Sequence, residues 1–274
     1  MKLKIIIIYM VIEIFTFSND IGVISSFNSL HLGWKSKNYK KFAKVISLFD
    51  LIGLEEVMNE TGIKKVKKEL EIETGEKWDY HISEKKVGNG RYKEYYGYIW
   101  KENKVKFIKY YGFYKEKKNE FSREPYGAEF KIGKFDFTYI LCHFIYGKNR
   151  AVREKEAGYL DNVYDYFQRK NGREQDVIIA GDFNLPSYNK GFKEIYAGKD
   201  NIFAVVNSKY KTTIGKHSLS KSYDNFFLSY KYTKEFTGDY GVYNFTNKNY
   251  SIVRKTISDH LPIFIEVDTT KDDD

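Results

Sequence analysis

The sequence predicts an α/β sandwich in a single domain, and three observations carry that prediction. Strand-like and helix-like stretches mix through all 274 residues, with no Pro/Ser-rich linker, repeat or low-complexity block before the acidic end TTKDDD. The composition is 42% hydrophobic and 18% aromatic, which argues for a packed core and against a disordered chain. The apolar runs are short and bounded by turn-forming residues, as buried strands require.

Each element follows in order. IGVISSFNSL (21–30) reads as a strand, and NYKKFAKVISLFD (38–50) sets Phe42, Val45, Ile46 and Phe49 at helical spacing. DLIGLEEV (50–57) is a second strand. TGIKKVKKELEIETG (61–75) is a lysine-rich amphipathic helix closed by Gly75, its charge run a solvated face. YYGYIW, VKFIKYYGFY, GAEFKI and FDFTYILCHF, between 95 and 144, are short aromatic strands. The stretch 149–170, NRAVREKEAGYLDNVYDYFQRK, is predicted as the longest helix, with Val152, Leu160, Val163 and Phe167 on one face. VIIAGD (177–182), SYDNFFLS (222–229) and LPIFIEV (261–267) complete the strands, and the three prolines flank strands.

The first residues, MKLKIIIIYMVIEIFTFSND, combine a basic start, an apolar run broken by Glu13, and small or polar residues after it. That is the layout of a secretory signal peptide, and the run is short for a membrane span. The expectation is a signal over 1–18, a mature domain over 19–268 and an acidic tail over 269–274, with a secreted or periplasmic location. A buried first strand is the other reading of the run. The formal charge of +9 suits an anionic partner such as nucleic acid or a membrane surface, although lysine-rich usage alone also produces it. The lone cysteine, Cys142, excludes an intrachain disulfide and a cysteine-based metal site. In its apolar strand it reads as a small core residue.

Unusual polar residues stand at the strand ends. Asp182 and Asn184 leave the apolar strand VIIAGD on the same side, where an unpaired carboxylate would be costly to desolvate. Taken alone they also fit a turn, since Asp, Asn and Pro favour strand exits. Asn28 follows the first strand, Glu55 and Glu56 end the second, and Glu94 precedes YYGYIW. His143 ends YILCH, Asp224 and Asn225 lie in SYDNFF, and Asp259 and His260 precede the last strand. Two of the five histidines thus occupy strand ends. Hard oxygen donors with two imidazoles and no cysteine favour Mg²⁺, Mn²⁺ or Ca²⁺ over structural zinc.

The ordered set SFN, LEEV, YKEYYGYIW, FSREP, CHF, GDFN, YDN and SDH resembles the endonuclease/exonuclease/phosphatase superfamily and, within it, the secreted deoxyribonuclease I branch. The resemblance runs from Ile21 to Val267. GDFN and SDH are family-wide, whereas YKEYYGYIW followed by FSREP is more specific to the deoxyribonuclease branch. It implies a four-layer sandwich: two packed mixed β-sheets flanked by helices, with the site where strand ends from both sheets meet. It also implies a secreted, metal-dependent endonuclease that hydrolyses DNA phosphodiesters by histidine-assisted attack of water. The implied cofactor is Mg²⁺, with Mn²⁺ as an alternative and Ca²⁺ in a structural role. The implied partner is DNA, through its phosphate backbone and minor groove, bound by a monomer with no obligate protein partner.

By position, Asn28 and Glu56 match the metal-binding pair, and Asp182 and Asn184 the residues that hold the metal or the attacked phosphate. Asp259 completes the metal site. His143 and His260 match the catalytic histidines, with Glu94 and Asp224 as the carboxylates that orient them. Arg123 matches a phosphate-binding arginine and Tyr92 a tyrosine that stacks on a sugar, and Asn225 is placed beside the substrate. There are departures. Met58 stands where animal relatives carry a groove-reaching arginine, which leaves minor-groove contact to Tyr92, Arg91 or nearby lysines. The disulfides of the animal enzymes are missing. Glu55 replaces a common glutamine and is expected to add negative charge near the ion. Other readings on the same scaffold are a sphingomyelinase or phosphoinositide phosphatase, a toxin subunit with nuclease activity, and a non-catalytic binding protein. The intact set of Glu56, Asp182, His143 and His260 speaks against the last.

Overall fold

The computed structural model describes residues 20–273 apart from 35, 171, 173 and 174; the predicted signal segment 1–18 lies outside the described residues. The chain begins β1 (Ile21–Leu32), α1 (Tyr39–Ile46), β2 (Leu51–Val57), α2 (Glu60–Thr74), β3 (Trp78–Ile82), β4 (Tyr95–Lys101) and β5 (Val105–Phe113). It continues through β6 (Tyr126–Ile132), β7 (Phe135–His143), α3 (Arg150–Ala157), α4 (Leu160–Gln168), β8 (Val177–Asp182) and α5 (Lys193–Ala197). The last elements are β9 (Ile202–Ala204), β10 (Asp224–Ser229), β11 (Phe236–Val242), α6 (Tyr250–Thr256) and β12 (Ile263–Asp268).

These strands form two six-stranded sheets, ordered β3-β4-β2-β1-β12-β11 and β5-β6-β7-β8-β10-β9. Each sheet has one central parallel pair, β1/β2 or β7/β8, flanked on both sides by antiparallel neighbours. The pairing pattern is therefore the same in both sheets. Its consequence is local: the ends of the two parallel strands and the starts of their antiparallel neighbours meet at one edge of each sheet.

Alternation along the strands separates the layers. Ile24, Leu51, Tyr98 and Trp100 of the first sheet pack on Phe130, Tyr139, Leu141 and Ile178 of the second, forming the core between them. Phe27, Ile52 and Leu54 turn outward onto Phe42 and Ile46 of α1, Ile63 and Val66 of α2, and Val253 of α6. Ile140, Ile179 and Phe227 turn outward onto Leu160, Val163 and Phe167 of α4 and Ile195 of α5. This is the four-layer sandwich expected from the sequence. Gly53 is one requirement of the close sheet contact, because a Cβ there would lie 2.4 Å from Leu141 Cδ2 and 2.8 Å from the Tyr139 hydroxyl. That hydroxyl reaches across to donate to Ser25 O at 2.8 Å.

Helix ends follow local chemistry. The Asn59 side chain caps α2 by accepting from Gly62 N at 2.9 Å, and Gly75 closes it in the left-handed conformation, as its sequence implied. The long helix predicted over 149–170 is two. At Gly158 the chain leaves α3 and restarts as α4, so Val152 is exposed while Leu160, Val163 and Phe167 are buried. The turn lets Glu156 point inward, where its carboxylate accepts from Ser122 N at 2.7 Å and Ile145 N at 2.8 Å. Thr269, the first residue after β12, is buried, and its N–H donates to Asp20 O at 2.8 Å.

Candidate active site

The central parallel pairs deliver the polar residues. In the second sheet His143 ends β7 directly beside Asp182 at the end of β8, and Asp182 pairs across to Asp224 at the start of β10. In the first sheet Asn28 on β1 pairs with Glu55 on β2, and Glu56 follows in the left-handed conformation (φ 58°). Such a backbone is uncommon for a non-glycine residue and clusters at functional sites. It breaks strand alternation and sends the neighbouring carboxylates to different places. Gly181, one residue before Asp182, is equally constrained: its φ is 144° and a Cβ there would lie 1.8 Å from Cys142 O. Only glycine fits.

Each histidine is fixed by its own carboxylate. His143 Nδ1 lies 2.7 Å from Glu94 Oε1, and His260 Nδ1 lies 2.9 Å from both oxygens of Asp224. The Nε2 atoms then face one oxygen, Asp182 Oδ2, at 3.7 Å from His143 and 3.5 Å from His260. Burial pulls both imidazoles toward the neutral form, but the carboxylates outweigh it. Glu94 holds His143 above its ordinary pKa, and Asp224 with Asp182 and Asp259 raises His260 well above it. Burial opposes ionisation of Glu94, yet His143 and Arg123 together hold it below the usual carboxylate range.

The remaining predicted residues surround this pair. Asn28 Nδ2 donates to Glu56 Oε1 at 3.2 Å and Asp182 Oδ2 at 3.3 Å, so a donor stands between the two carboxylates. Asn184, also left-handed (φ 50°), donates from its N–H to Asp182 Oδ1 at 2.9 Å and from Nδ2 to Phe144 O at 3.0 Å. Arg123 Nε pairs with Glu94 Oε2 at 3.0 Å, and the side chain reaches a cleft of about 620 Å³. Glu56, Glu94, His143, Asp182, Asn184, Tyr92, Asp259 and His260 line the same cleft. Asp259 is held there by Arg254 Nη2 at 3.2 Å. A larger cleft of about 740 Å³ lies by β3 and β5, but none of the candidate site residues lines it.

Two expectations need correction. Asn225 is not brought to the cleft: its Oδ1 accepts from Val206 N and its Nδ2 donates to Val206 O, both at 2.9 Å, tying β10 to the neighbouring chain. Alternation explains this, since Asn225 faces opposite to Asp224. Glu55 does not add charge beside an ion. It is fully buried, accepts from Ser26 Oγ at 3.0 Å, and burial together with Asp224 and Asp182 pushes its pKa well above the carboxylate range, which favours the neutral acid.

Several residues escaped the sequence reading. His31 closes over Glu56, its N–H donating to Oε2 at 3.0 Å and its Nε2 lying 3.3 Å from the same oxygen. Lys37 Nζ donates to Ser29 O at 2.6 Å, Leu30 O at 2.8 Å and Ile257 O, and burial pulls its pKa down to about 8 against the attraction of Glu56 and Asp259. The Tyr96 hydroxyl accepts from His143 N at 3.1 Å. Ser258 Oγ donates to Asn28 O at 2.6 Å and accepts from His260 N at 3.0 Å, joining the two ends of the site. The only sequence signal for His31 was its place three residues after Asn28.

The donor set suits a divalent cation. Ligand atoms of Asp182, Asp224 and His260 lie within 4.8 Å of one another. Glu56 and Asp182 are bridged by the Asn28 amide, which supplies a positive end where a cation would satisfy both carboxylates.

No family model matches the chain. By sequence it is similar to a deoxyribonuclease of Thioalkalivibrio sp. (strain K90mix), 28% identical over 88% of this chain and 70% of that one. It is also similar to deoxyribonuclease-1-like 1 of Sus scrofa, 23% identical over 82% of this chain and 72% of that one. By fold it is similar to an endonuclease/exonuclease/phosphatase family protein from Bacteroides thetaiotaomicron, with a TM-score of 0.61 at 17% identity over 90% of this chain and 97% of that one. The resemblance drawn from the motifs is matched by similarity of sequence to deoxyribonucleases and by similarity of fold to an endonuclease/exonuclease/phosphatase family protein.

Proposed function

We propose that this chain is a metal-dependent endonuclease that hydrolyses DNA phosphodiester bonds, with His143 and His260 handling the protons. One observation carries the reading. Two imidazoles, each fixed at Nδ1 by its own carboxylate, present Nε2 to the same oxygen of Asp182 from opposite sheets. Hydrolysis of a phosphodiester needs one proton removed from the attacking water and another delivered to the leaving oxygen. His260, faced by three carboxylates, is the stronger proton acceptor, and its Nε2 takes the water proton. His143 shares Glu94 with Arg123, which makes it the weaker base and the better donor. Arg123 offers its remaining donors to the phosphate.

Glu56, Asp182 and Asn28 would hold the cation, with Asp259 at the rim; Mg²⁺ or Mn²⁺ suits these hard oxygen donors. When bound it would neutralise phosphate charge and stabilise the leaving oxygen. The names of the deoxyribonuclease relatives support DNA as the substrate; that a monomer takes it is part of the proposal. Export belongs to the same proposal: the basic start and apolar run support a signal over 1–18 and a nuclease domain beginning near Asn19. Among the described residues no helix is long and apolar enough to cross a membrane.

The test is to incubate the protein from residue 19 onward with supercoiled plasmid, RNA and sphingomyelin in parallel, with Mg²⁺ and then with chelator. Plasmid nicking that stops with chelator is expected. His143→Ala and His260→Ala should each lower kcat by about 10²–10⁴-fold with folding intact by circular dichroism. Folded variants that nick at the parent rate would remove the histidines from the reaction. Sphingomyelin cleavage without nicking would move the activity to lipid. Mass spectrometry of exported material showing an intact Met1 would end the signal proposal.

A further inference from the structure

Beside the catalytic pair stand three aromatic rings: His31 and Tyr92 line the cleft, and Trp34 lies against them. Trp34 stacks on His31 with ring centres 4.2 Å apart and planes inclined by 18°. Tyr92 lies 5.8 Å from His31 and 6.2 Å from Trp34, inclined by 33° and 38°. Trp34 is 41% exposed and Tyr92 44%. Large aromatic surfaces left in water at a functional cleft ask for an occupant.

The segment that carries His31 and Trp34 is held against its own backbone preference. Leu30 (φ 44°) and His31 (φ 55°) are left-handed, and the half-buried Lys37 ammonium gathers the carbonyls of Ser29, Leu30 and Ile257 around the bend. Glu56 grips the other side through the His31 N–H. The platform is thus fixed relative to the carboxylates that face the phosphate. Arg123, Lys221 and Arg254 line the same cleft and supply positive charge to it.

A flat aromatic face near a phosphate site takes the flat face of a base, and it does so without regard to base identity. A base inside an intact duplex has both faces covered and must be unstacked first, whereas a base in a single strand or gap does not. We infer that the His31–Trp34–Tyr92 platform stacks an unpaired nucleobase of the strand being cut, so that single-stranded and gapped DNA are preferred over intact duplex. This rests on the phosphodiesterase reading above and specifies its substrate.

Binding and cleavage can be tested separately. Trp34 is the exposed tryptophan, while Trp78 and Trp100 are buried at 0% and 4%. With chelator present and no turnover, a single-stranded oligonucleotide should quench tryptophan emission, and blunt duplex of the same sequence should do so far less. Trp34→Phe should abolish the quench. With Mg²⁺, Trp34→Ala should lower kcat/KM on the single strand relative to that on the duplex by roughly ten-fold or more, with Trp34→Phe restoring much of the ratio. Equal quenching by both forms, or a ratio unchanged by Trp34→Ala, would overturn the inference while leaving the nuclease reading intact. Quenching by the single strand with no cleavage of any DNA would uphold the platform and sink the nuclease reading.

Discussion

Glu55 and Glu56 are adjacent in sequence and opposite in setting. Glu56 turns out of the strand to the cleft; Glu55 stays in it, buried against Ser26, where burial holds its pKa well above the carboxylate range. Because its folded pKa is raised, the native state binds the Glu55 proton more tightly than the unfolded chain does. Stability from this group is complete below the ordinary glutamate value and is lost as pH rises through the folded value. Glu55→Gln removes that loss, so its melting temperature relative to the parent should rise between pH 4 and pH 8. A tenfold difference in proton affinity between the two states is worth about 1.4 kcal/mol, and each kcal/mol moves the melting temperature by roughly 2–4 °C in a domain of this size. A thermal-unfolding series in chelator checks it, and a pH-independent difference would show that Glu55 is ionised. The proton assignment makes a second prediction. Asp224 raises His260, so Asp224→Asn should move the acid limb of kcat/KM to lower pH while reducing its height. A limb that stays in place would assign it to another group. Asp182, His143 and His260 were legible in the sequence because a polar group ending an apolar strand has no packing reason to be there. His31, Trp34 and Lys37 were not. Their positions depend on a left-handed bend that no periodicity announces.

At the scale of elements, the sites depend on strands that tolerate no extra atom at two glycines. Gly53→Ala would push a methyl into Leu141 and Tyr139 between the sheets, and overpacking of this kind costs about 1–3 kcal/mol. Urea unfolding should show that loss with kcat nearly kept. Gly181→Ala should do more than destabilise, because the carbonyl it would strike belongs to Cys142, next to His143, and Asp182 follows directly. Loss of nicking in a still-folded Gly181→Ala variant is the expected result; full activity would mean the strand ends adjust freely. The strands foreseen from the sequence were those with dense apolar or aromatic runs. The edges β3, β9 and β11 were missed because they are short or, in FTGDYGV, glycine-containing and half-exposed. The predicted long helix hid its break because Gly158 sits inside an otherwise regular pattern, and only the inward turn of Glu156 explains why the chain bends there.

For the whole molecule, the formal charge of +9 and the lysines and arginines about the cleft make DNA affinity a largely electrostatic quantity. Binding to plasmid should fall steeply on raising salt from about 50 to about 200 mM, and Arg123→Ala should weaken cleavage of many sequences alike. A variant with altered cutting positions at an unchanged rate would give Arg123 a base-reading role. The layering was legible from alternating strands and helices, but which strands share a sheet was not, since pairing between distant segments leaves no local trace. That long-range pairing has a consequence in time. The second sheet is built from one unbroken stretch, β5 to β10, whereas the first waits for β12 to return to β1, and the Ser258 hydroxyl meets the Asn28 carbonyl across 230 residues of chain. His260 arrives with it. A nascent chain emerging from the ribosome can therefore pair the strands of its second sheet while the candidate site is still in pieces, and the cleft is whole only once the final strand docks.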